Sequence, residues 1–199
     1  MGAYFVFAAA FFDFFDGFAA RLLRVSSEIG KQLDSLADLV TFGVLPAFMM
    51  MRMIETSGDS PWLHFVAFAI GIFAALRLAK FNIDTRQTDR FIGVPTPAVA
   101  LFVSTLPYFF SNSPEISKHL QQPIPLVVIS VILCFLMVAE LPLIALKFKT
   151  FAPASNLFRY IVIAIGFGSI LILGIAGIPL VIISYILLSI VEVVVTKNG

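Results

Sequence analysis

The sequence predicts an all-α protein, a polytopic membrane helix bundle of about seven transmembrane helices forming a single domain over residues 1–199. Hydrophobic residues make up 60% of the chain and charged residues only 13%, and the mean hydropathy is +1.02. Soluble domains are about 45–50% apolar and about 25% charged. One water-soluble core could not bury this many apolar side chains, which include 22 phenylalanines. The composition excludes a disordered chain and disfavours a soluble enzyme.

Seven apolar segments approach or reach the length of a spanning helix, which needs about 20 mostly apolar residues. The segments cover residues 3–24, 33–54, 62–81, 95–110, 123–141, 157–173 and 178–195. Turn-forming residues separate them, and Pro61, Pro95 and Pro123 stand near helix openings, where proline is well tolerated. The last two segments could instead form one long bent helix.

The lysines and arginines indicate the orientation, because cytoplasmic loops of membrane proteins are enriched in both. If the N-terminus lies outside, the basic residues at cytoplasmic ends are Arg21, Arg24, Lys31, Arg77, Lys80, Arg86, Arg90, Lys147, Lys149, Arg159 and Lys197. Of the 13 basic residues, only Arg52 and Lys118 fall at outer ends. We therefore predict a multi-pass protein of the cell (inner) membrane with a cytoplasmic C-terminus. Because no signal sequence precedes the outside N-terminus, we expect an upstream helix that is missing from this chain.

Four aspartates lie inside the first two apolar segments: Asp13, Asp16, Asp34 and Asp38. A charge near the centre of a membrane helix costs about 2.5–3.5 kcal/mol, so such residues are expected to face a polar interior and to have a function. The first pair shares one helical face through its i,i+3 spacing, and the second pair through its i,i+4 spacing. In an antiparallel hairpin the two acidic faces can meet.

Small residues continue both faces, with Gly17 and Ala20 on the first helix and Gly30 on the second. We expect them to allow a close approach of the two helices. Four clustered carboxylates would repel one another, so a cation is expected between them. Oxygen-only sites suit Mg²⁺, Mn²⁺ or Ca²⁺, and four carboxylates can hold two ions that bridge a diphosphate. Arg21, one turn beyond the aspartates, could also reach a phosphate.

Two other interpretations of the aspartates are open. They could form an inert salt-bridge cluster with Arg21, Arg24 and Lys31 near the membrane surface. They could also line the pathway of a divalent-cation transporter, which predicts acidic residues distributed through the depth of the membrane. Here the four carboxylates cluster at the predicted inner half of two helices, which favours a single site.

Residues 13–38 resemble the signature of the CDP-alcohol phosphotransferases, D-x-x-D-G-x-x-A-R-x8-G-x3-D-x3-D. This chain has the required residue at every fixed position of the pattern. The flanking residues resemble the membrane phosphatidylserine synthase branch of that family, at residues 30–38, 42–46, 76–82 and 93–97. The resemblance covers residues 3 to about 110, and the last three segments are too generic to extend it.

The resemblance implies an enzyme that takes CDP-diacylglycerol and L-serine and releases phosphatidylserine and CMP. It implies that Asp13, Asp16 and Asp34 bind two divalent metal ions, Mg²⁺ or Mn²⁺, and that Asp38 is both a shared ligand and the general base. The residues implied to line the CDP-diacylglycerol site are Asp13, Gly17, Ala20, Arg21 and Gly30. The resemblance also suggests a homodimer in membrane lipid, and the net charge of +1 gives no indication of a nucleic-acid partner.

The carboxylate of a serine acceptor needs a cation, and Arg77 and Lys80 are the candidates, since they share a helical face through their i,i+3 spacing. They could equally be the ordinary positive charges of a cytoplasmic helix end. Another acceptor, such as glycerol 3-phosphate or an inositol phosphate, is the alternative within the family, because residues 77–90 hold four basic side chains. In either case we expect the active site to open to the cytoplasm.

Overall fold

The fold is that of a helical membrane bundle. The computed structural model describes residues 2–23, 27–58, 61–84, 91–145 and 156–197. The α-helices in these ranges are α1 (Gly2–Leu23), α2 (Glu28–Leu39), α3 (Leu45–Ser57), α4 (Phe68–Ile83), α5 (Thr96–Asn112), α6 (Pro114–Leu120), α7 (Pro123–Val138), α8 (Leu157–Leu173) and α9 (Ile178–Lys197). Two strands of two residues each, β1 (Phe91–Ile92) and β2 (Pro142–Leu143), pair in antiparallel orientation. The prediction of an all-α protein is confirmed.

Three helical stretches of the described chain are long and apolar enough to cross a membrane: Glu28–Ser57, Leu63–Ile83 and Leu157–Val195. The pair α6 and α7, bent by 83° at the break between them, makes a fourth if it counts as one span. Each of the seven apolar segments predicted from the sequence contains a helix. That all seven segments cross the membrane stays a prediction.

Helices α8 and α9 fold back on each other and do not form one long span. A straight helix over the 39 residues of Leu157–Val195 would be about 58 Å long, roughly twice the hydrocarbon thickness. Gly174 has a φ of +57°, in the region that favours glycine. A Cβ atom on Gly177 would lie 2.3 Å from the Ser169 carbonyl oxygen, and one on Gly166 would lie 3.5 Å from Val181. The chain therefore reverses at residues 174–177, which favours two segments over one bent helix.

The buried core lies among α3, α4, α5, α7 and α9. Met50, Ile70, Val103 and Leu126 are fully buried there. Helix α1 packs mainly on α5 through a smaller cluster of Val6 and Ala100 with Phe42. Large apolar side chains of α1 on the other side are exposed, as a surface facing lipid requires.

A π-helix, Val40–Val44, connects α2 to α3 directly after the second pair of aspartates. Its Gly43 lies so close to α4 that a Cβ atom at this position would be 2.8 Å from the Ala74 Cβ and 3.8 Å from the Gly71 Cα. Small residues on both sides permit this approach of the two helices. The C-terminal end of α2 is thereby held against α4.

Candidate active site

The four aspartates come together between α1 and α2. Carboxylate oxygens of Asp13, Asp16 and Asp34 all lie within 4.8 Å of one another. The Asp38 carboxyl group lies within hydrogen-bonding distance of Asp13 and interacts electrostatically with Asp16 and Asp34. Asp16 and Asp34 are exposed, whereas Asp13 and Asp38 are half-buried. The predicted meeting of the two acidic faces is confirmed, and the site is open to an incoming ligand.

The start of α2 is fixed by an N-cap, and this sets the direction of its two aspartates. The Ser27 backbone is extended, with a φ of −139°, and its side-chain oxygen accepts a hydrogen bond from the Gly30 N–H at 3.0 Å. Such a cap satisfies one of the free N–H groups of the first turn. Asp34 and Asp38 then lie one turn apart, on the face toward α1.

The small residues between the acidic faces do not have the role predicted from the sequence. A Cβ atom on Gly17 would meet no described atom within 4 Å, and one on Gly30 would meet only the Ser27 hydroxyl. The expectation that these glycines allow a close helix approach is therefore wrong, since α1 packs on α5 and not tightly along α2. The gap leaves room for a ligand beside the carboxylates. The side chains of Ala20 and Arg21 lie outside the described residues.

The salt-bridge interpretation finds no support among the cations whose side chains the structure describes. None of the four aspartates forms an ion pair with one of these cations. The Lys31 ammonium group instead donates a hydrogen bond to the Asn82 carbonyl oxygen at 3.5 Å. Arg24 lies outside the described residues, as does the side chain of Arg21. Apart from the contact between Asp13 and Asp38, the four carboxylates are therefore available to a partner other than these cations.

The donor set fits a divalent cation. All its ligand atoms are carboxylate oxygens, the type that Mg²⁺, Mn²⁺ and Ca²⁺ prefer. The separation of 4.8 Å or less between oxygens is close to the span of about 4.2 Å across an ion with metal–oxygen bonds of about 2.1 Å. Asp13, Asp16 and Asp34 could therefore hold an ion after small side-chain movements, and Asp38 is near enough to join them.

Helix α4 runs beside α2 and carries the two cations predicted to bind an acceptor. Arg77 interacts electrostatically with Asp38. The Arg77 side chain is only 7% exposed, and its guanidinium carbon lies 5.8 Å from the centre of the Phe81 ring. Among the described residues its Nε atom has no hydrogen-bond partner. Lys80 lies one turn further along α4 and is exposed.

A cavity of about 290 Å³ opens at this end of α4. Arg77 and Lys80 line it, together with Asp84, which follows α4, and Glu140, which follows α7. The sequence does not predict that Asp84 and Glu140 share a cavity, because the pairing of β1 with β2 brings their segments together. The available signal was weak: each is a single acid directly after an apolar helix. Arg86 and Arg90 lie outside the described residues.

Comparisons with known proteins find one matching family model and several similar proteins. The family model described as CDP-alcohol phosphatidyltransferase matches residues 1–190. The CDP-diacylglycerol–serine O-phosphatidyltransferase of Bacillus subtilis is 40% identical over 108 residues, which cover 54% of this chain and 60% of that protein. The protein of the same name from Helicobacter pylori strain J99 is 39% identical over 105 residues, covering 52% and 44%. The one from Saccharomyces cerevisiae is 36% identical over 115 residues, covering 53% and 40%. The aligned part thus spans about half the length of these relatives.

Proposed function

This chain belongs to the CDP-alcohol phosphatidyltransferase family, and from this premise we propose that it transfers a phosphatidyl group from CDP-diacylglycerol to L-serine, giving phosphatidylserine and CMP. The observation that carries the proposal is the convergence of the four motif aspartates from α1 and α2 on one open site. The names of the relatives at 36–40% identity support serine as the acceptor.

Asp13, Asp16 and Asp34 would hold the divalent ions, two Mg²⁺ or Mn²⁺, with Asp38 as a shared ligand. When bound, these ions supply charge neutralisation and polarisation of the diphosphate. The gap beside Gly17 lies next to the carboxylates and would receive the diphosphate of CDP-diacylglycerol. Ala20 and Gly30 would line the nucleotide side of this site, and Arg21 would bind a phosphate oxygen.

Asp38 would take the proton of the serine hydroxyl as general base. The serine oxygen then attacks the β-phosphorus, which bears diacylglycerol. The bond from that phosphorus to the bridging oxygen breaks, and CMP leaves with the electron pair. No covalent enzyme intermediate is needed, so a sequential reaction is expected. Ping-pong kinetics, or a trapped phosphatidyl-enzyme, would contradict this order.

Arg77 and Lys80 would bind the carboxylate of serine. Arg77 is buried, carries an unpartnered Nε atom and interacts with Asp38. Arg77→Ala is expected to raise KM for serine more than KM for CDP-diacylglycerol. The control is Arg52→Ala, because Arg52 is an exposed arginine on α3 that pairs with Glu55. An unchanged serine dependence in Arg77→Ala would reject this role.

The proposal includes a location in the cell (inner) membrane, with the active site and the C-terminus toward the cytoplasm. The clustering of Lys31, Arg77 and Lys80 around the site supports this orientation, because basic residues are enriched on the cytoplasmic side. It also includes a homodimer within membrane lipid. Cross-linking in intact membranes tests the homodimer. Labelling of a cysteine added after Lys197 tests on which side of the membrane the C-terminus lies.

The test of the acceptor is CMP release from CDP-diacylglycerol in detergent, with Mg²⁺ or Mn²⁺ and one acceptor at a time. Serine, glycerol 3-phosphate and an inositol phosphate form the panel. We expect release with serine alone. Release with glycerol 3-phosphate or the inositol phosphate, and none with serine, would show that serine is not the acceptor. The chain would still be a phosphotransferase. Transport of the divalent ion without any CMP release would overturn the class as well.

A further inference from the structure

An aromatic patch at the start of α4 consists of Trp62, Phe65, Phe68 and Phe48. The ring centres of Trp62 and Phe65 lie 6.1 Å apart, and those of Phe65 and Phe68 lie 6.3 Å apart. Phe48 on α3 continues the patch, with its ring centre 5.2 Å from that of Phe68. Trp62 is 77% exposed, and Phe65 and Phe48 are also exposed. A contiguous exposed apolar surface of this kind marks a site that contacts another molecule or a membrane.

The aromatic patch lies at the ends of two stretches that are long and apolar enough to cross a membrane. The stretch Glu28–Ser57 ends shortly before Trp62, and the stretch Leu63–Ile83 begins directly after it. An indole ring has a large apolar body and one N–H donor, so tryptophan is enriched at the level where hydrocarbon meets the lipid headgroups. Trp62 has both the sequence position and the exposure that this level requires.

The surface of α3 changes from aromatic to charged at the same end of the bundle. Arg52 follows Phe48 by one turn, on the same exposed face. It forms an ion pair with Glu55, which is also exposed. A charged pair is costly among acyl chains and favourable among headgroups. The edge of the hydrocarbon on α3 is therefore expected between Phe48 and Arg52.

Helix α6 fits a position along the same surface of the membrane. It is bent by 83° from α7, so it runs nearly parallel to the surface when α7 crosses the membrane. A Cβ atom on Gly58 would lie 2.9 Å from Pro123 Cγ, so the start of α7 lies beside the end of α3. Ile116 and Leu120 are exposed on one face of α6 through their i,i+4 spacing, and Glu115 is exposed on its polar side.

We propose that the aromatic patch anchors this end of the bundle at the boundary between the headgroups and the acyl chains of the membrane. The partner is the lipid surface itself. The phenylalanine rings contact the upper part of the acyl chains, and the indole ring of Trp62 lies between these chains and the headgroups. The anchor does not depend on which reaction the chain catalyses.

The length of the helical stretch that follows Trp62 agrees with an anchor at one boundary. Leu63–Ile83 begins with five residues of 3₁₀-helix and continues with the 16 residues of α4. At rises of about 2.0 and about 1.5 Å per residue it is about 34 Å long, close to the hydrocarbon thickness of about 30 Å. With Trp62 at one boundary, Asn82 lies near the other, where it contacts Ser35 on α2. The anchor thus holds the acidic site at the level of the opposite headgroups.

The test uses the fluorescence of the full chain in phosphatidylcholine vesicles, where Trp62 reports alone because it is the single tryptophan of the sequence. Brominated lipids quench a tryptophan at the depth of their bromines, and acrylamide quenches a tryptophan in water. We expect an emission maximum to the blue of that of free tryptophan. The largest loss of fluorescence should occur with bromines near the headgroup end of the acyl chain, and acrylamide should quench less than it quenches free tryptophan.

The matched control is the double variant Trp62→Phe with Ile72→Trp. Ile72 is exposed on α4, near the middle of the same helical stretch. The tryptophan of this variant should therefore lose most fluorescence with bromines near the methyl end of the acyl chain. The contrast between the two profiles distinguishes the boundary from the hydrocarbon.

Three results for Trp62 would overturn the anchor and leave the proposed reaction untouched. Emission as in water, with strong quenching by acrylamide and none by lipid, would place the patch in the aqueous phase. Blue-shifted emission that neither quencher reduces would show that protein covers the ring, such as a second copy of the chain. Strongest quenching by bromines near the methyl end would place the patch within the hydrocarbon. The same profile in the control variant as in the wild type would overturn the anchor too, because Leu63–Ile83 would then not run through the hydrocarbon.

Discussion

Asn82 on α4 donates a hydrogen bond from its side-chain amide to Ser35 Oγ on α2, across 2.9 Å. Ser35 follows Asp34 directly and precedes Asp38 by one turn. The Asn82 carbonyl oxygen also accepts a hydrogen bond from the Lys31 ammonium group. These two contacts connect α2, which carries Asp34 and Asp38, to α4, which carries Arg77. They hold the end of α4, and the cavity that Arg77 lines, beside the acidic site.

Loss of the Asn82–Ser35 hydrogen bond is expected to lower kcat. A hydrogen bond of this type contributes about 0.5–1.5 kcal/mol to stability, and its loss lets α4 move relative to α2, so Asn82→Ala and Ser35→Ala should each lower kcat by at most about tenfold. Because both changes remove the same bond, the double variant should be no slower than the slower single variant. Steady-state rates of CMP release from the wild type, the two single variants and the double variant test this expectation. Losses that multiply in the double variant would show that the two residues act independently.

The packing of Gly43 against Ala74 is expected to be sensitive to one methyl group. Gly43→Ala places a Cβ atom 2.8 Å from the Ala74 Cβ and should destabilise the fold by about 1–3 kcal/mol. Adding Ala74→Gly removes the clash and should recover most of that loss. Unfolding in a denaturing detergent measures the difference.

Gly168→Ala is the control for this change, because a Cβ atom there would meet no described atom within 4 Å. Its midpoint of unfolding should equal or slightly exceed that of the wild type, because alanine is favoured over glycine inside a helix by about 0.5–1 kcal/mol. If Gly43→Ala were as stable as Gly168→Ala, the close approach of the π-helix to α4 would be contradicted.

Removal of divalent ions is expected to abolish CMP release. The four carboxylates repel one another without a cation, and the diphosphate would add further negative charge. EDTA should stop the reaction, and added Mg²⁺ or Mn²⁺ should restore it. Asp16→Asn, which removes one exposed ligand of the cluster, should raise the metal concentration needed for half-maximal activity. Full activity in EDTA would show that the transfer does not need a divalent ion.

The sequence predicted the helical segments and the meeting of the aspartates well, for physical reasons that are local. Long apolar runs bounded by proline and turn residues define membrane helices because unpaired backbone groups cannot exist in lipid. The i,i+3 spacing of Asp13 and Asp16 and the i,i+4 spacing of Asp34 and Asp38 define one face of each helix. A short connection between the two helices then brings these faces together.

The features that the sequence did not predict depend on contacts between distant residues. The π-helix Val40–Val44 brings Gly43 close to α4, a contact between distant residues that no local pattern encodes. The pairing of Phe91 with Leu143 joins segments about 50 residues apart. That pairing creates the wall of the cavity. Gly17 was expected to pack against the second helix, but a Cβ atom there would meet no described atom within 4 Å, because i,i+4 spacing gives the face of a helix and not its distance from a neighbour.

Whether the four aspartates form a metal-dependent phosphatidyl-transfer site is tested by the rate of CMP release with serine from the wild-type chain and from Asp38→Asn. Glu115→Gln is the control. Loss of a general base lowers a rate about 10²- to 10⁴-fold, so Asp38→Asn should release CMP at least about 100-fold more slowly, with Glu115→Gln unchanged. A rate in Asp38→Asn equal to that of the wild type would show that the acidic cluster is not the site of the transfer.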